Sequence, residues 1–90
     1  LRAYDQAYRK SFGVEASTFG GYAHDGFHLI VEAVKKYGAT PDGIRNGIEQ
    51  TRKMVGISGI FTMSPADHNG LDLSAFEMVQ VSKGDWVLAK

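Results

Sequence analysis

The apolar residues of this 90-residue chain recur with a helical period until about residue 51, and the rhythm is lost from residue 55 onward. Ala23, Gly26, Phe27, Ile30, Val34 and Tyr37 follow the i, i+3, i+4, i+7 spacing and predict a helix over residues 22–37, closed by Gly38. Leu1, Tyr4, Tyr8 and Phe12 make a similar stripe over residues 1–12, with Gly13 as the stop. A third helix over residues 41–51 starts from Thr40 as N-cap, Pro41 at the first helical position and Asp42 in the first turn. Its apolar face is Ile44 and Ile48. Gly43 and Gly47 each cost about 1 kcal/mol of helix propensity relative to Ala, so Gly47 points to a close backbone contact instead.

Beyond residue 55 the residues change in kind. "VGISGIFTM" is β-branched and aromatic with two glycines, and predicts a short strand over about 57–63 interrupted by bends. "SPADHNG" is dense in turn formers and reads as a loop. "AFEMVQVSKGDWVLA" reads as strands over about 75–82 and 85–89 joined at Lys83-Gly84. The order is helices first, strands last, in one α/β unit with no repeat or linker.

Composition narrows the function classes. Apolar residues at 43% and charged residues at 22% are ordinary for a folded domain. Ten basic residues balance ten acidic ones, which leaves no surplus charge for nucleic acid or anionic lipid. With no cysteine, disulfides and thiolate metal sites are excluded. The longest apolar-rich run, near residues 29–34, contains Glu32 and is too short for membrane insertion. The chain opens at Leu1 without an initiator Met or a charged-then-apolar export signal, and is expected to be a processed or excised piece.

Three stretches are candidate sites. "HDGFH", residues 24–28, sets two histidines four apart, so that both imidazoles could reach one zinc ion with His68 or Asp67 as a third ligand. Against this, Asp25 is one methylene shorter than the glutamate of a zinc hydrolase, and Gly26 loosens the helix. His24, His28, Glu32 and Lys35 or Lys36 together form a polar stripe, and a solvated helix face is the preferred reading. In "DHNG", Asp67 and His68 could pair for acid–base work, but no nucleophile motif surrounds Ser58, Ser64 or Ser74. A structural turn, with Asp67 bonding loop amides, is preferred there too. "STFGGY", residues 17–22, places Phe19 and two glycines before the start of the best helix, where unpaired amides and the positive end of the dipole suit a carboxylate or phosphate. No phosphate-loop motif accompanies it. Taken by itself, Phe19 reads more readily as a core aromatic.

Three segments together, "FGGYAHDGFHLIVEAVKKYG", "IRNGIEQTRKMVGISGIFTMSPADHNG" and "FEMVQVSKGDWVLA", resemble the C-terminal part of substrate-binding proteins of ABC importers. The similar group is the leucine/isoleucine/valine-binding type of type I periplasmic binding proteins, including relatives that capture aromatic acids. His24-Asp25-Gly26 stands where the family has a Tyr-Asp-Ala-like helix start, Gly56, Gly59, Ile60 and Phe61 match a later glycine-bounded segment, and Val79 to Val87 match the closing hairpin.

The resemblance implies a fragment of a two-lobed α/β fold that closes on a small carboxylate, a branched-chain amino acid or an aromatic acid, and delivers it to a membrane permease. It implies no enzyme activity, no cofactor and no metal. It places the protein in the periplasm, or lipid-anchored outside a Gram-positive cell. The three helices would belong to one lobe, the hairpin would reach toward the other, and residues 61–76 would lie near the hinge. Phe19 matches a cleft-lining aromatic, and with Gly20 and Tyr22 it forms the implied ligand-binding set; this turns the preference at "STFGGY" toward function. His24 and Gly26 depart from the family's Tyr and Ala. Faces left uncovered in a fragment predict a homodimer, with exchanged segments favoured by the hairpin's strand edges. The competing classes are a small zinc-dependent hydrolase built on the "HDGFH" helix and an independent protein-interaction module.

Overall fold

The structure, a computed structural model, describes residues 1–89. Three helices come first: α1 (Arg2–Phe12), α2 (Thr18–Tyr37) and α3 (Pro41–Glu49). Two antiparallel ribbons follow. The first pairs β1 (Met54–Val55) with β2 (Ile60–Phe61), and the second pairs β3 (Val79–Ser82) with β4 (Asp85–Leu88). A single 3-10 turn, Leu73–Ala75, lies between them.

The second helix starts at Thr18, four residues earlier than the stripe of apolar residues suggests. Ser17 is in extended conformation and its hydroxyl accepts the Gly20 N–H, so the cap lies ahead of the glycine pair and the helix runs through it. The side of α2 that is buried also differs from expectation. Gly21, Asp25, Leu29 and Ala33, spaced by four, face the interior. Phe27, Ile30 and Tyr37 remain exposed, although they belong to the apolar stripe. Packing selected the side with the smaller residues because α3 and the β1–β2 turn approach there at short range.

That short range is visible at α3. A Cβ at Gly47 would sit 2.4 Å from the Ala33 Cβ, and one at Gly43 would sit 2.5 Å from the Tyr37 carbonyl oxygen. The backbones touch where the glycines are, as expected at Gly47 and as was not foreseen at Gly43. Thr40 caps α3 by accepting the Gly43 N–H, with Pro41 at the first position. The helix ends at Glu49, two residues before the expected limit.

The stretch expected as a strand over 57–63 is strand only at Ile60–Phe61 and begins with a turn. Met54 pairs with Phe61 and Val55 with Ile60, and Gly56 to Gly59 close the ribbon through a Gly56 N–H bond to the Gly59 oxygen of 2.8 Å. The expected strand over 75–82 is likewise shortened, since Leu73–Ala75 form the 3-10 turn and pairing begins at Val79. The terminal hairpin turns at Lys83-Gly84, both with positive φ (53° and 79°), the arrangement of a two-residue hairpin loop. "SPADHNG" is a loop whose Asp67 carboxylate accepts the Asn69 and Gly70 amides.

The core is small: Leu29, Ala33, Phe61 and Met63 are its buried apolar residues. The Cα radius of gyration is 15.6 Å over extents of 48 × 31 × 17 Å, against about 12 Å for a compact domain of this length. Elongation comes from the ends. No residue of α1 is buried, and every residue of β3 and β4 is exposed. No helix among the described residues is long and apolar enough to cross a membrane.

Candidate functional site

A cleft of about 770 Å³ opens where three parts of the chain meet. The start of α1 contributes Leu1, Arg2, Tyr4 and Asp5, the start of α2 contributes Ser17, Thr18, Gly21 and Tyr22, and the β1–β2 turn contributes Ile57 and Ser58, with Ala75 at one edge. Each wall has a local cause. Ser17 begins α2 and directs the first turn into the cleft; its hydroxyl takes the Gly20 N–H and its carbonyl the Gly21 N–H. The amides of Thr18 and Phe19 are those the cap leaves unspent. Tyr4 packs edge-on against His24 at 4.9 Å between centroids, which seats α1 on α2.

The third wall is held by Asp25. The residue is 2% exposed, the largest fully buried side chain among the described residues. One oxygen accepts the Ile57 N–H and the other the Ser58 N–H, each at 2.7 Å and from more than thirty residues away. Burial pushes the Asp25 carboxyl up, but the Ile57 and Ser58 amides, the Ser58 hydroxyl and His24 outweigh it, and the net displacement is downward. The group is therefore an anion at neutral pH. Close packing surrounds it: a Cβ at Gly56 would stand 2.7 Å from the Asp25 Cγ, and one at Gly21 would stand 3.0 Å from the Ile57 Cγ2.

Among the lining residues the charged ones are Arg2 and Asp5. Asp5 is engaged by Arg9 at 3.1 Å, whereas Arg2 joins no ion pair among the described residues. Hydroxyls of Tyr4, Tyr22, Ser17 and Ser58 supply neutral donors and acceptors. The chemistry on offer is that of a binding site: a cation, helix-start amides, hydroxyls and an apolar patch from Leu1, Ile57 and Ala75.

The three ligand-binding residues expected from sequence are not equivalent here. Tyr22 lines the cleft. Phe19 lies in the first turn of α2, outside the lining and 82% exposed. Gly20 also lies outside the lining, and a Cβ there would meet the Tyr4 hydroxyl at 3.1 Å. Sequence reasoning missed Ile57 and Ser58 as lining residues, and above all the role of Asp25. The one available signal was the pair of glycines in "GISG", which allow a carboxylate to come against the backbone.

The histidines of "HDGFH" stack at 4.3 Å, and His28 Nδ1 lies 2.9 Å from the His24 carbonyl oxygen. His68, the proposed third ligand, bonds Glu49 Oε1 at 3.0 Å, and Arg45 bonds the same oxygen at 3.2 Å. Arg45 and then His68 hold the Glu49 carboxyl below its ordinary range. No three His, Cys, Asp or Glu side chains converge on one point among the described residues.

No protein-family model and no curated protein matches the chain. Solved structures do. An extracellular ligand-binding receptor from Rhodopseudomonas palustris superposes with a TM-score of 0.72 at 23% sequence identity, covering 94% of this chain and 26% of the receptor. An extracellular ligand-binding receptor from Rhodopseudomonas palustris HaA2 does so with a TM-score of 0.72 at 25% identity and the same coverage. The chain thus spans about a quarter of the length of the receptors it resembles. With three helices followed by short antiparallel strand pairs, it has the fold of a fragment of a type I periplasmic binding protein.

Proposed function

We propose that the chain is part of an extracytoplasmic solute-binding protein that captures a small carboxylate, a branched-chain amino acid or an aromatic acid, for import through an ABC-transporter permease. The observation that carries this reading is the cleft at the start of α2, within a fold shared with extracellular ligand-binding receptors. Arg2 and the unspent Thr18 amide at the start of α2 suit a carboxylate, and Leu1, Tyr22 and Ile57 suit an apolar side chain. The cleft performs no bond chemistry. Capture works by lobe closure, in which contacts made to both lobes stabilise a closed state.

Phe19, Gly20 and Tyr22 remain the ligand-facing candidates by resemblance, with Tyr22 already in the cleft and Phe19 turned outward where a second lobe could reach it. The second lobe of the parent supplies further contacts to the ligand, so the isolated chain binds it weakly or not at all. Calorimetry on the longer parent protein with L-leucine, L-isoleucine, L-valine and benzoate tests the class. Stoichiometric heat with one of them, abolished by Arg2→Ala, supports the reading; no heat with any of the four sinks it.

The isolated chain is further proposed to associate as a homodimer. In the β3–β4 register Val79, Val81, Trp86 and Leu88 fall on one face, all of them exposed, and α1 exposes Leu1 and Phe12. Light scattering that gives a monomer mass at high concentration overturns this.

A further inference from the structure

Resting on the reading of the cleft as the ligand site, we infer that Asp25 is a positioning residue for that site. Without touching the ligand, its buried carboxylate sets where Ile57 and Ser58 stand in the cleft wall. The two residues belong to a four-residue turn, Gly56 to Gly59, whose own backbone bond runs from Gly56 N–H to Gly59 oxygen. That bond leaves the Ile57 and Ser58 amides pointing inward, and Asp25 receives both at 2.7 Å. Nothing local to the turn can do this, since the carboxylate comes from the middle of α2.

The charge is specified. Each carboxylate oxygen takes one N–H, so an amide side chain would serve one and set its own NH2 against the other. The carboxylate also needs a glycine opposite it, because a Cβ at Gly56 would fall 2.7 Å from the Asp25 Cγ. A buried charge is a costly way to hold a core together, and a well-packed apolar residue generally does it better. What Asp25 fastens is not core: Ile57 and Ser58 are half-buried and line the cleft.

The titratable groups on the elements packed around it are His24 and His28 of α2, Tyr4 of α1, and Glu49 of α3 with its partners Arg45 and His68. Of these, His24 alone reaches ion-pair range of Asp25 among the described residues, with Nδ1 at 3.7 Å. That nitrogen is buried and has no hydrogen-bond partner. The carboxylate that bonds both wall amides is that of Asp25.

Nuclear magnetic resonance on residues 1–90 tests this, with L-leucine and benzoate as probes at high concentration. In the wild type, the Ile57 and Ser58 amides should exchange at least about tenfold more slowly than those of Lys83 and Gly84 in the exposed hairpin turn. Their proton shifts should move together on acidification as the carboxylate takes up a proton. In Asp25→Asn both signatures should vanish, and the response of Ile57 and Ser58 to a probe should weaken by about tenfold while the helical shifts of α2 persist. Unprotected Ile57 and Ser58 amides that ignore acidification overturn the inference, and if Asp25→Asn does not fold this wild-type comparison decides alone. A probe response that is equal in wild type and Asp25→Asn also overturns it and leaves the ligand reading standing. Where wild-type peaks respond to neither probe, calorimetry on the parent protein decides the ligand reading and the two amides decide the inference.

Discussion

Two ribbons of the same chain, each a pair of short antiparallel strands, are held in opposite ways. The β1–β2 ribbon has two residues per strand, too few to stand by pairing alone, yet its turn is bonded to a buried carboxylate from α2, and Phe61 is buried. Arg52 adds to this by donating to the carbonyls of Glu49, Thr51 and Met63, tying the chain after α3 to the strand end. The β3–β4 hairpin has four residues per strand and a well-matched turn, yet no side chain of it is buried. The first ribbon is a tertiary object with little local reason to exist. The second is a local object with every residue exposed. Pairing length therefore says little about which ribbon is firmly placed; side chains arriving from elsewhere decide it.

The largest expected effect lies in the seam that supports the first ribbon. Gly47→Leu would drive a side chain into Ala33, whose Cβ already lies 2.4 Å from where a Cβ would be, and should destabilise the protein by about 3 kcal/mol. Gly47→Ala should also destabilise, because the gain of about 1 kcal/mol in helix propensity is smaller than a clash with a residue fixed in a neighbouring helix. Urea midpoints measure both, and a stabilised Gly47→Ala would show that the two helices do not meet there.

Asp25→Ala comes next. It strands two inward amides, and leaving a buried donor without a partner costs about 1–3 kcal/mol. A urea midpoint within error of wild type would show that water replaces the carboxylate and that the first ribbon is as locally held as the second.

Acid sharpens the same contrast. The folded-state pKa of Asp25 is depressed, so its contribution is fully present above the unfolded value of about 3.9 and is lost as pH falls from there through the folded value. Glu49 is displaced in the same direction by Arg45 and His68 and loses its contribution with the same sign. Thermal melts between neutral and strongly acid pH should therefore fall more steeply for wild type than for Asp25→Asn, with Glu49→Gln removing a further part of the slope. Parallel curves would break the assignment.

The smallest effect belongs to the hairpin. Trp86→Lys, at a position 68% exposed, should change the helix melt by less than about 0.5 kcal/mol while reducing self-association. A large loss of helix stability would mean that the hairpin is docked after all.

Much of the architecture was legible residue by residue. Thr40-Pro41-Asp42 announces α3, Lys83-Gly84 announces the hairpin, and Asp67 with Asn69-Gly70 announces a turn, because in each the bonding partners lie within a few positions. The start of α2 was obscured by Gly20-Gly21, which reads locally as a break. In the fold Gly21 is the point where Ile57 comes against the helix. The cleft was half legible: Ser17 to Tyr22 stood out, whereas Ile57 and Ser58 did not.

The buried side of α2 could not be read at all. Helical periodicity offers several stripes, and the most apolar one, with Phe27 and Ile30, is the one left exposed. Asp25 sits between His24 and Gly26, looks like part of a wet or metal-binding face, and is the most buried of the three.

By itself the sequence determined where helices give way to strands, the cap of α3 and the turn of the terminal hairpin, and that the net charge is zero. Those features depend on dihedral preferences and on bonds between near neighbours. Only the tertiary structure decided which face of α2 is inside and that one aspartate anchors a wall of the cleft. Those depend on groups thirty residues apart reaching hydrogen-bond distance, and a pattern read along the chain does not contain that distance.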